Sequence, residues 1–413
     1  MLVGIGFQEA FPPQARQPAR YPVRIMTLPQ VRLLTDRLPA GPWIFGRQVD
    51  EPSGVENGAL VEIQDASDRF VGHGLYNSSS DIRIRVLSRG RRSAWDRPVE
   101  VLRQMIARSA RLRSKTLRLG DHSDMWRVVH AEGDDLPGLI VDRMGDCYVV
   151  EHHALGFWRL RKEIEKALLA ISDGATVIHR VPKNVRNLEN FEPEEEEVTV
   201  EGRWLNEGGI SYPVIPGYGH KTGWFCDQRD NRQTIGALCR GRVVLDLCCN
   251  AGGFALQAAK HGAHSVTAVD LDEDVLERAR MAAEQNQFEV TLEHEDIFHH
   301  LRRRAHEGQR AEVVILDPHK MIRGRSSLEG GKEKYLDMNT LALGAVSQGG
   351  LLATYSCSGA LDLPSFLGVL FQAARRAERT VKILAIQGAG PDHPQRPDFP
   401  RSRYLKGALL FVD

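Results

Sequence analysis

The residue of this sequence with the clearest capacity for covalent chemistry is a cysteine that ends an apolar run. The stretch "LLATYSCSGAL", Leu351 to Leu361, is short and partly β-branched, which predicts a buried strand ending at Cys357. A thiol there has two interpretations. It can be a nucleophile, because a thiolate is reactive near neutral pH and is readily expelled, or it can fill the core as a small apolar group. The side chains at the same end of the sheet decide between them.

A second stretch, "VVLDLCCNAGGFAL", has the strand, tight turn and helix start of a nucleotide-binding loop. Many mononucleotide folds have Asp-x-Gly-x-Gly-x-Gly there, and this chain has Asp246, Cys248, Asn250 and Gly252. Small residues let the loop backbone approach a ligand, although Cys248 and Asn250 depart from the glycine pattern. Taken alone, the loop is equally well interpreted as an ordinary strand-to-helix turn.

Two further carboxylates lie at the ends of the next predicted strands. In "VTAVDLD", Asp270 is predicted to end the next strand, 18 positions after Gly252, where an acid can accept both ribose hydroxyls. Asp296 in "HEDIF" would lie near an adenine amino group. One such acid could cap a helix, but three in register favour a nucleoside site. The loop lacks the Gly-x-Gly-x-x-Gly spacing of dinucleotide folds, and an acid before it (Asp246) is typical of class I methyltransferases. The pattern therefore predicts S-adenosylmethionine (SAM) rather than NAD.

The fourth strand of this region is predicted to end in "VVILDPHK", which contains Asp317 to Lys320. Methyltransferases that act on exocyclic base amines usually have an aromatic ring where Lys320 stands, stacked on a flipped base, so this sequence argues against amine methylation. Ligands of doubly wound sheets bind at the carboxyl ends of the strands, which predicts that Cys357 lies beside Asp317. The reaction that needs a thiol there is methylation of pyrimidine C5, in which a thiolate adds to C6 and is expelled after a base removes the C5 proton.

Three regions of the chain supply these residues. From 31 to 93, short alternating strands with Gly, Asn, Asp and Ser turns predict a small β-barrel or sandwich. A helix and then a strand, strand, helix, strand pattern ending in "ATVIHRV" predict a compact α+β domain. From about 210 onward, strands and helices alternate, which predicts an α/β fold with a doubly wound, mostly parallel sheet.

Composition restricts the class of protein. The 413 residues are too many for one ordinary core, and 54 basic against 54 acidic residues leave no net charge, so any nucleic-acid site must be a local patch. No apolar run is long enough to span a bilayer, and the six cysteines lack a C-x-x-C spacing. We therefore expect no membrane segment, no metal and a reduced, cytoplasmic location. Residues 1–26, rich in Pro, Gln and Arg, are predicted to be a disordered extension without a secretory signal, with Met26 as the true start.

With these motifs assembled, the chain resembles the PUA-domain-containing large-subunit rRNA cytosine-C5 methyltransferases over nearly everything after Met26. Further stretches carry the resemblance: "PWIF", "EGDDLPGLIVDR", "HKTGWFCDQRDNR", "SCSG" and "YLKG". It implies a PUA-like RNA-binding domain over 27–95, an α+β central domain over 96–205 and a SAM-dependent methyltransferase domain over 206–413. It also implies that Cys357 is the nucleophile and that 23S rRNA, free or in an assembling large subunit, is the partner. We assign the other catalytic roles to Asp317, which orients the base, and Lys320.

The chain departs from the family in the turn after Asp317. The family usually has Asp-Pro-Pro-Lys, and here His319 replaces the second proline. This is either a tolerated surface turn or a change that alters substrate preference or supplies a base. Some other cytosine-C5 enzymes use a second cysteine at the position of Lys320 to release product, so in this chain Asp317 or a water must help elimination.

A charged segment, 220–232, precedes the first strand of the third region. The resemblance places it over the cofactor. The residues that we expect to contact the cofactor are Gln228, Arg229, Asp246, Cys248, Asn250, Gly252, Asp270, Asp296 and Asp317. The alternative is a solvated helix N-terminus capped by Asp227, but Trp224 and Phe225 beside the charges favour a partly buried site.

Basic residues that leave the first region and continue on the next helix predict an RNA-binding surface: Arg83, Arg85, Arg108, Arg111 and Lys115. A solvated helix face is the alternative. Two other functions stay open, a methyltransferase with a different RNA target or atom and a catalytically inactive RNA-binding ribosome assembly factor. The oligomeric state is open as well, with a homodimer as one alternative.

Overall fold

The computed structural model of the protein describes residues 28–90, 95–194, 200–219, 221–322 and 324–413. The predicted disordered extension, 1–26, and His220 of the charged segment lie outside these residues. In chain order, the strands and α-helices are β1 (Gln30–Leu33), β2 (Trp43–Phe45), β3 (Val49–Asp50), β4 (Leu60–Gln64), β5 (Phe70–Tyr76), β6 (Ile82–Arg89), α1 (Pro98–Arg111), β7 (Met125–His130), β8 (Leu139–Met144), β9 (Cys147–His152), α2 (Leu155–Arg159), α3 (Arg161–Leu169), β10 (Thr176–Arg180), α4 (Lys183–Glu189), β11 (Arg203–Glu207), β12 (Ile210–Val214), α5 (Arg229–Ala237), β13 (Val243–Leu247), α6 (Gly253–Lys260), β14 (Ser265–Asp270), α7 (Glu273–Gln285), β15 (Thr291–His294), α8 (Ile297–His306), β16 (Ala311–Leu316), α9 (Leu328–Ala345), β17 (Val346–Ser356), α10 (Leu363–Arg376), β18 (Val381–Gln387) and β19 (Lys406–Val412).

The first region is a six-stranded sheet in the order β2-β6-β5-β4-β1-β3. All neighbours pair antiparallel except β1 with β4. In β4 ("LVEIQ"), Val61 and Ile63 are buried while the residues between them stay partly exposed. The side-chain period of two that the sequence shows is therefore the period of burial.

The second region is a four-stranded sheet in the order β10-β9-β8-β7, accompanied by α1 to α4. The strand count predicted for it was wrong, because "GLIVDRMGDCYVVEHHA" forms two strands, β8 and β9, instead of one. They pair as a hairpin whose turn lies between Met144 and Cys147. Gly145 in this turn has a φ of +66°, a conformation that glycine adopts at little cost.

A two-stranded hairpin, β11 with β12, joins the second region to the third. The predicted domain boundary between 205 and 206 therefore falls inside β11. The hairpin is fixed to the third region, since the Ser211 N–H donates to Asn286 Oδ1 at 2.9 Å and the ring of Tyr212 lies 4.5 Å from that of Trp224.

The third region is a seven-stranded sheet in the order β15-β14-β13-β16-β17-β19-β18. The first five strands of this order are parallel, and β19 runs antiparallel between β17 and β18. Apolar residues of α8, α9 and α10 cover one face, and those of α5 and α6 cover the other. This confirms the predicted doubly wound, mostly parallel sheet. None of the helices within the described residues has the length and apolar character needed to cross a membrane.

Candidate active site

The carboxyl ends of the five parallel strands bring the predicted site residues to one edge of the sheet. Asp246 lies in β13, Asp270 ends β14, Asp296 follows β15, Asp317 follows β16 and Cys357 follows β17. β16 and β17 are adjacent parallel strands, so Asp317 and Cys357, each the first residue after its strand, leave the same edge of the sheet. The sequence alternation that builds a parallel sheet is therefore also what assembles this cluster.

The loop after β13 keeps the backbone shape of a nucleotide-binding loop despite its departures from the glycine pattern. Cys248 and Asn250 have positive φ values of 60° and 49°, and Gly252 has 75°. Two carboxylates support it: Asp246 Oδ2 accepts from the Ala255 N–H at 2.9 Å, and Asp270 Oδ2 accepts from the Asn250 N–H at 2.9 Å. Such conformations cost free energy for residues with a Cβ, so the fold holds this loop in place.

The loop is surrounded by negative charge. Burial raises the pKa of the Cys248 thiol well above its usual range, and the charges of Asp270, Asp317, Asp246 and Asp296 raise it further. Burial also raises the pKa of Asp246, with added repulsion from Asp317 and Asp270. Within the described residues, Asp246 Oδ1 is buried without a hydrogen-bond partner. A buried acceptor without a donor is costly, so this cluster fits a ligand with a positive charge and several donors, as SAM is.

Asp296 differs from the other acids, and the argument that three acids in register are not helix caps was wrong for it. Its exposed carboxylate is the N-cap of α8, where Oδ1 accepts from the N–H groups of Phe298 and His299 at 3.0 and 3.2 Å. Asp270 and Asp296 still stand at the ends of neighbouring strands, the arrangement that the nucleoside prediction requires.

The pair formed by Asp317 and Cys357 has unusual electrostatics. Burial and the neighbouring Asp227 raise the pKa of Asp317 to about 6, against the opposing charge of Lys221. Gln228 Nε2 donates to Asp317 Oδ2 at 3.0 Å. Burial and the charge of Asp317 raise the pKa of the half-buried Cys357 thiol to about 11, while Lys221 and Lys320 lower it. The resting pair is thus a thiol beside a carboxyl group that can change protonation near neutral pH.

The charged segment before α5 is buried, and Asp227 does not cap an α-helix there. Its Oδ2 accepts from Tyr404 Oη at 2.7 Å and from Lys221 Nζ, whose ammonium lies 4.4 Å from the ring centre of Phe225. Asp227 Oδ1 is buried without a partner in the described part of the chain. Sequence reasoning missed Tyr404 here, because a contact across 177 positions leaves no local pattern.

Arg229, which we predicted to contact the cofactor, forms an ion pair with another residue of the protein. Arg229 is 1% exposed, and its guanidinium binds both oxygens of Asp392 at 3.0 Å. Asp392 in turn accepts from the Arg127 N–H of β7 at 3.0 Å. Arg229 therefore pairs with the carboxylate that connects the second and third regions, and this cofactor assignment was wrong.

Two of the predicted RNA contacts are also internal. Arg85 is buried and pairs with Glu189 of α4 at 2.9 Å, which joins the first and second regions. Arg83 is largely covered, pairs with Glu51 at 2.6 Å and donates to the backbone oxygen of Ser80 at 3.0 Å. Their alternation with buried residues in β6 gave no hint of these partners, and neither side chain is free for RNA.

The other three predicted RNA contacts stand on the surface. Arg108, Arg111 and Lys115 are exposed at the end of α1, with Arg108 paired to Asp135 at 2.9 Å. Arg113 between them is fully buried and holds Asp134 through two bonds of 2.6 and 2.7 Å.

The turn after Asp317 presents its polar residues to solvent. Pro318 is buried, whereas His319 and Lys320 are exposed. At the far edge of the sheet, the ligand atoms of Glu293, Glu295 and His300 lie within 4.8 Å of one another, close enough to hold a metal ion. Arg303 already binds the two glutamates at 2.8 and 3.0 Å.

Two family models match the chain, a PUA-like domain at residues 40–89 and a methyltransferase domain at residues 244–322. The second includes Asp246, the loop and Asp317. The ribosomal RNA large subunit methyltransferase I of Photobacterium profundum is 33% identical over 385 residues, which cover 90% of this chain and 95% of the relative. The protein of the same name from Aeromonas hydrophila is 32% identical over 382 residues, with 89% and 94% covered.

Two solved structures are similar to the whole architecture. A methyltransferase complexed with SAH superposes with a TM-score of 0.76 at 20% identity, covering 94% of this chain and 100% of its own. A SAM-dependent methyltransferase from Streptococcus mutans gives 0.76 at 19% identity, with 93% and 100% covered. At this identity the likeness shows the fold.

Proposed function

Because this chain belongs to the ribosomal RNA large subunit methyltransferase I family, we propose that it is an enzyme that forms 5-methylcytidine in 23S rRNA, with SAM as its methyl donor. The observation that carries the proposal is the place of Cys357: a half-buried thiol at the end of β17, beside Asp317 and at the edge where three other acids stand. An rRNA substrate also accords with the cytoplasmic location expected from the sequence.

The acids at this edge would hold the cofactor. Asp246, with its unpartnered Oδ1, would accept from the ammonium of the methionine part, and Asp270 from the ribose hydroxyls. Asp296 would lie near the adenine. When bound, SAM supplies a methyl group on a sulfonium, an electrophile that a carbon nucleophile can accept.

Cys357 would supply what the pyrimidine ring lacks. Carbon C5 of cytosine is a poor nucleophile until another group adds to C6. The thiol proton passes to Asp317 and the sulfur forms a bond to C6. The C5=C6 electron pair then shifts to the C4–C5 bond, the C4=N3 pair shifts to N3, and N3 takes the proton from Asp317. A carboxyl group with a pKa of about 6 can both accept and return a proton near neutral pH.

Release of the product reverses the addition. After C5 has been methylated, N3 gives its proton back, a base removes the C5 proton, the C5=C6 bond re-forms and the C6–S bond breaks, so the sulfur leaves as a thiolate. If Asp317 is this base, the N3 proton passes to water; if a water is the base, Asp317 takes the N3 proton back. Lys320, exposed beside Asp317, would contribute positive charge and a contact to the RNA.

The RNA would approach across the second region. Arg108, Arg111 and Lys115 form an exposed basic stripe at the end of α1, suited to phosphates. The buried Arg85–Glu189 pair joins the PUA-like domain to the same second region.

The test supplies labelled SAM and deproteinised 23S rRNA to the wild type, to Cys357→Ala and to Cys147→Ala, a matched control at a buried thiol of β9. We expect labelled 5-methylcytidine from the wild type and the control and none from Cys357→Ala. Label from all three would mean that Cys357 only packs. A different labelled nucleoside would favour another target atom, the alternative raised by His319.

Absence of label from every protein would leave two explanations, and the same assay on an assembling large subunit separates them. Label on the assembling subunit identifies the true substrate. Continued absence of label, together with absence of SAM binding, would favour an RNA-binding assembly factor. The backbone of the loop after β13 favours SAM binding instead, since Cys248 and Asn250 keep the positive φ values of the glycines that they replace.

A further inference from the structure

We propose that Lys406, in the last strand of the chain, is a positioning residue for Cys357: its ammonium holds the turn that carries the thiol and places a buried positive charge beside it. This inference rests on the proposed function of Cys357 as the nucleophile. Lys406 lies in "YLKG", one of the stretches that carry the resemblance, but the sequence assigned it no role, 49 positions after the cysteine.

Strand pairing brings the two residues together. β17 and β19 are antiparallel neighbours, and Lys406 is the register partner of Ser356, the residue before Cys357. The ammonium donates to the backbone oxygen of Ser358, the residue after Cys357, and to that of Tyr404, each at 2.7 Å. Lys406 thus binds the catalytic turn from one side and the approach to β19 from the other.

The lysine is buried without an ionic partner. Lys406 is 3% exposed, and no carboxylate of the described residues forms an ion pair with it. A buried ammonium is costly unless it is compensated. Two carbonyl oxygens give partial compensation, and a thiolate at Cys357 would complete it. The protein therefore keeps a buried cation beside the turn, and a thiolate at Cys357 would balance its charge.

The electrostatics agree with this geometry. Burial lowers the pKa of Lys406 to about 8, while the charges of Cys357 and Asp362 oppose that fall and Lys320 adds to it. The effect is reciprocal: if the thiolate stabilises the ammonium, the ammonium stabilises the thiolate. With a pKa of about 8, the lysine is mostly charged at pH 7, and there its ammonium favours the thiolate form of a thiol whose pKa burial and Asp317 hold high.

Several other titratable groups also act on this thiol. Lys221 is committed to Asp227 and to the ring of Phe225, and Lys320 is exposed, where solvent screens its charge. The groups that face Cys357 or Lys406 from the surrounding elements are Lys221, Asp227, Asp317, Lys320, Tyr335 and Asp362. Lys406 differs from the other two lysines because it is both buried and bonded to the turn itself.

In the reaction, Lys406 keeps its proton throughout. The thiol proton goes to Asp317, the sulfur–C6 bond forms and later breaks, and the ammonium only lowers the energy of the sulfur anion before addition and after elimination. Removing Lys406 should therefore slow the chemical step without weakening the binding of RNA or SAM.

The experiment measures alkylation of Cys357 by iodoacetamide in the full-length protein from pH 7 to 10.5, with the modified peptide quantified by mass spectrometry. Lys406→Gln keeps N–H donors for the two carbonyls but loses the charge, and Lys406→Arg keeps the charge. Below pH 8, where Lys406 is mostly charged, we expect the alkylation rate of Cys357 to fall in Lys406→Gln, about tenfold for each unit by which loss of the charge raises the apparent thiol pKa. Above pH 8 the rates of the two proteins should approach each other. Lys406→Arg should retain most of the rate.

Lys382→Met, a lysine removed from the neighbouring edge strand β18, is the control and should match the wild type. An unchanged alkylation profile in folded Lys406→Gln, as judged by circular dichroism, would overturn the proposal. If that variant does not fold, the comparison of Lys406→Arg with the wild type decides: its profile should stay within a few tenths of a pH unit, and loss of thiol reactivity would overturn the idea. Alkylation needs neither RNA nor SAM, so this readout stands even if the proposed methylation fails.

Discussion

Two groups of buried charges in this molecule are arranged in opposite ways. Where the regions meet, each buried cation has a carboxylate: Arg113 holds Asp134 through two bonds of 2.6 and 2.7 Å. At the carboxyl edge of the third region, Asp246, Asp270 and Asp317 stand close enough to repel one another. The charges of the first group are balanced by other residues of the protein, whereas the charges of the second group are not.

The direction of each pKa shift expresses this difference. Burial alone would raise the pKa of Asp392, but the charges of His393 and Arg229 outweigh it and lower that pKa far below its usual range. Burial raises the pKa of Asp246, and its neighbours raise it further. Equal burial with opposite neighbours thus separates a carboxylate that serves the fold from one that awaits a ligand.

The largest expected effect comes from breaking the paired group. Asp134→Ala would leave the guanidinium of the fully buried Arg113 without its carboxylate. Removing one partner of a buried pair costs about 3–5 kcal/mol, so the free energy of unfolding should fall by that amount. Guanidinium chloride denaturation followed by circular dichroism measures it.

Asp337→Ala is the matched control, because it removes one of the two carboxylates that pair with the exposed Arg376. Surface pairs contribute about 0–1 kcal/mol. If both variants lost the same small amount of free energy of unfolding, the Arg113–Asp134 pair would not be a main contributor to stability.

A smaller effect is expected from the unpaired group, with the opposite consequence for stability. Asp246→Asn removes a buried like charge while an amide oxygen can still accept from the Ala255 N–H. The free energy of unfolding at pH 7 should stay the same or rise. SAM binding should weaken by about 1.5–3 kcal/mol, the usual value of a hydrogen bond to a charged group.

Isothermal titration calorimetry with SAM, run beside the denaturation experiment, checks both halves of this expectation. Glu293→Gln, an acid at the far edge of the sheet that already binds Arg303, is the control and should bind SAM normally. A loss of stability in Asp246→Asn with normal SAM binding would place Asp246 in the structural group instead.

The sequence predicted the unpaired group better than the paired one, for a physical reason. Asp270, Asp317 and Cys357 each follow an apolar run, and the parallel sheet brings such positions to one edge wherever the rest of the chain goes. Their grouping therefore depends on local pattern and one topological rule.

The paired group depends on contacts between distant parts of the chain, which leave no local pattern. Arg85 and Arg229 looked like free cations because Glu189 and Asp392 lie 104 and 163 positions away. The same holds for Lys406, whose role depends on β19 entering the sheet next to β17. A one-dimensional pattern shows a charge, and only the fold shows whether that charge already has a partner.

The smallest expected effect tests whether the unpaired group takes part in proton transfer. With a pKa of about 6, Asp317 is a carboxylate above that pH and can take the thiol proton of Cys357. Below it, Asp317 is already protonated, so addition to C6 needs a proton acceptor that is missing. We expect kcat/KM for methylation to be flat from pH 7 to 8 and to fall about tenfold for each unit below 6.

Histidine side chains in general change charge in the same pH range, so His319→Pro is the control that should keep this acid limb. An acid limb that disappears in His319→Pro would assign the proton acceptor to the histidine, and a profile flat to pH 5 in the wild type would remove Asp317 from proton transfer and leave it as a group that only orients the base.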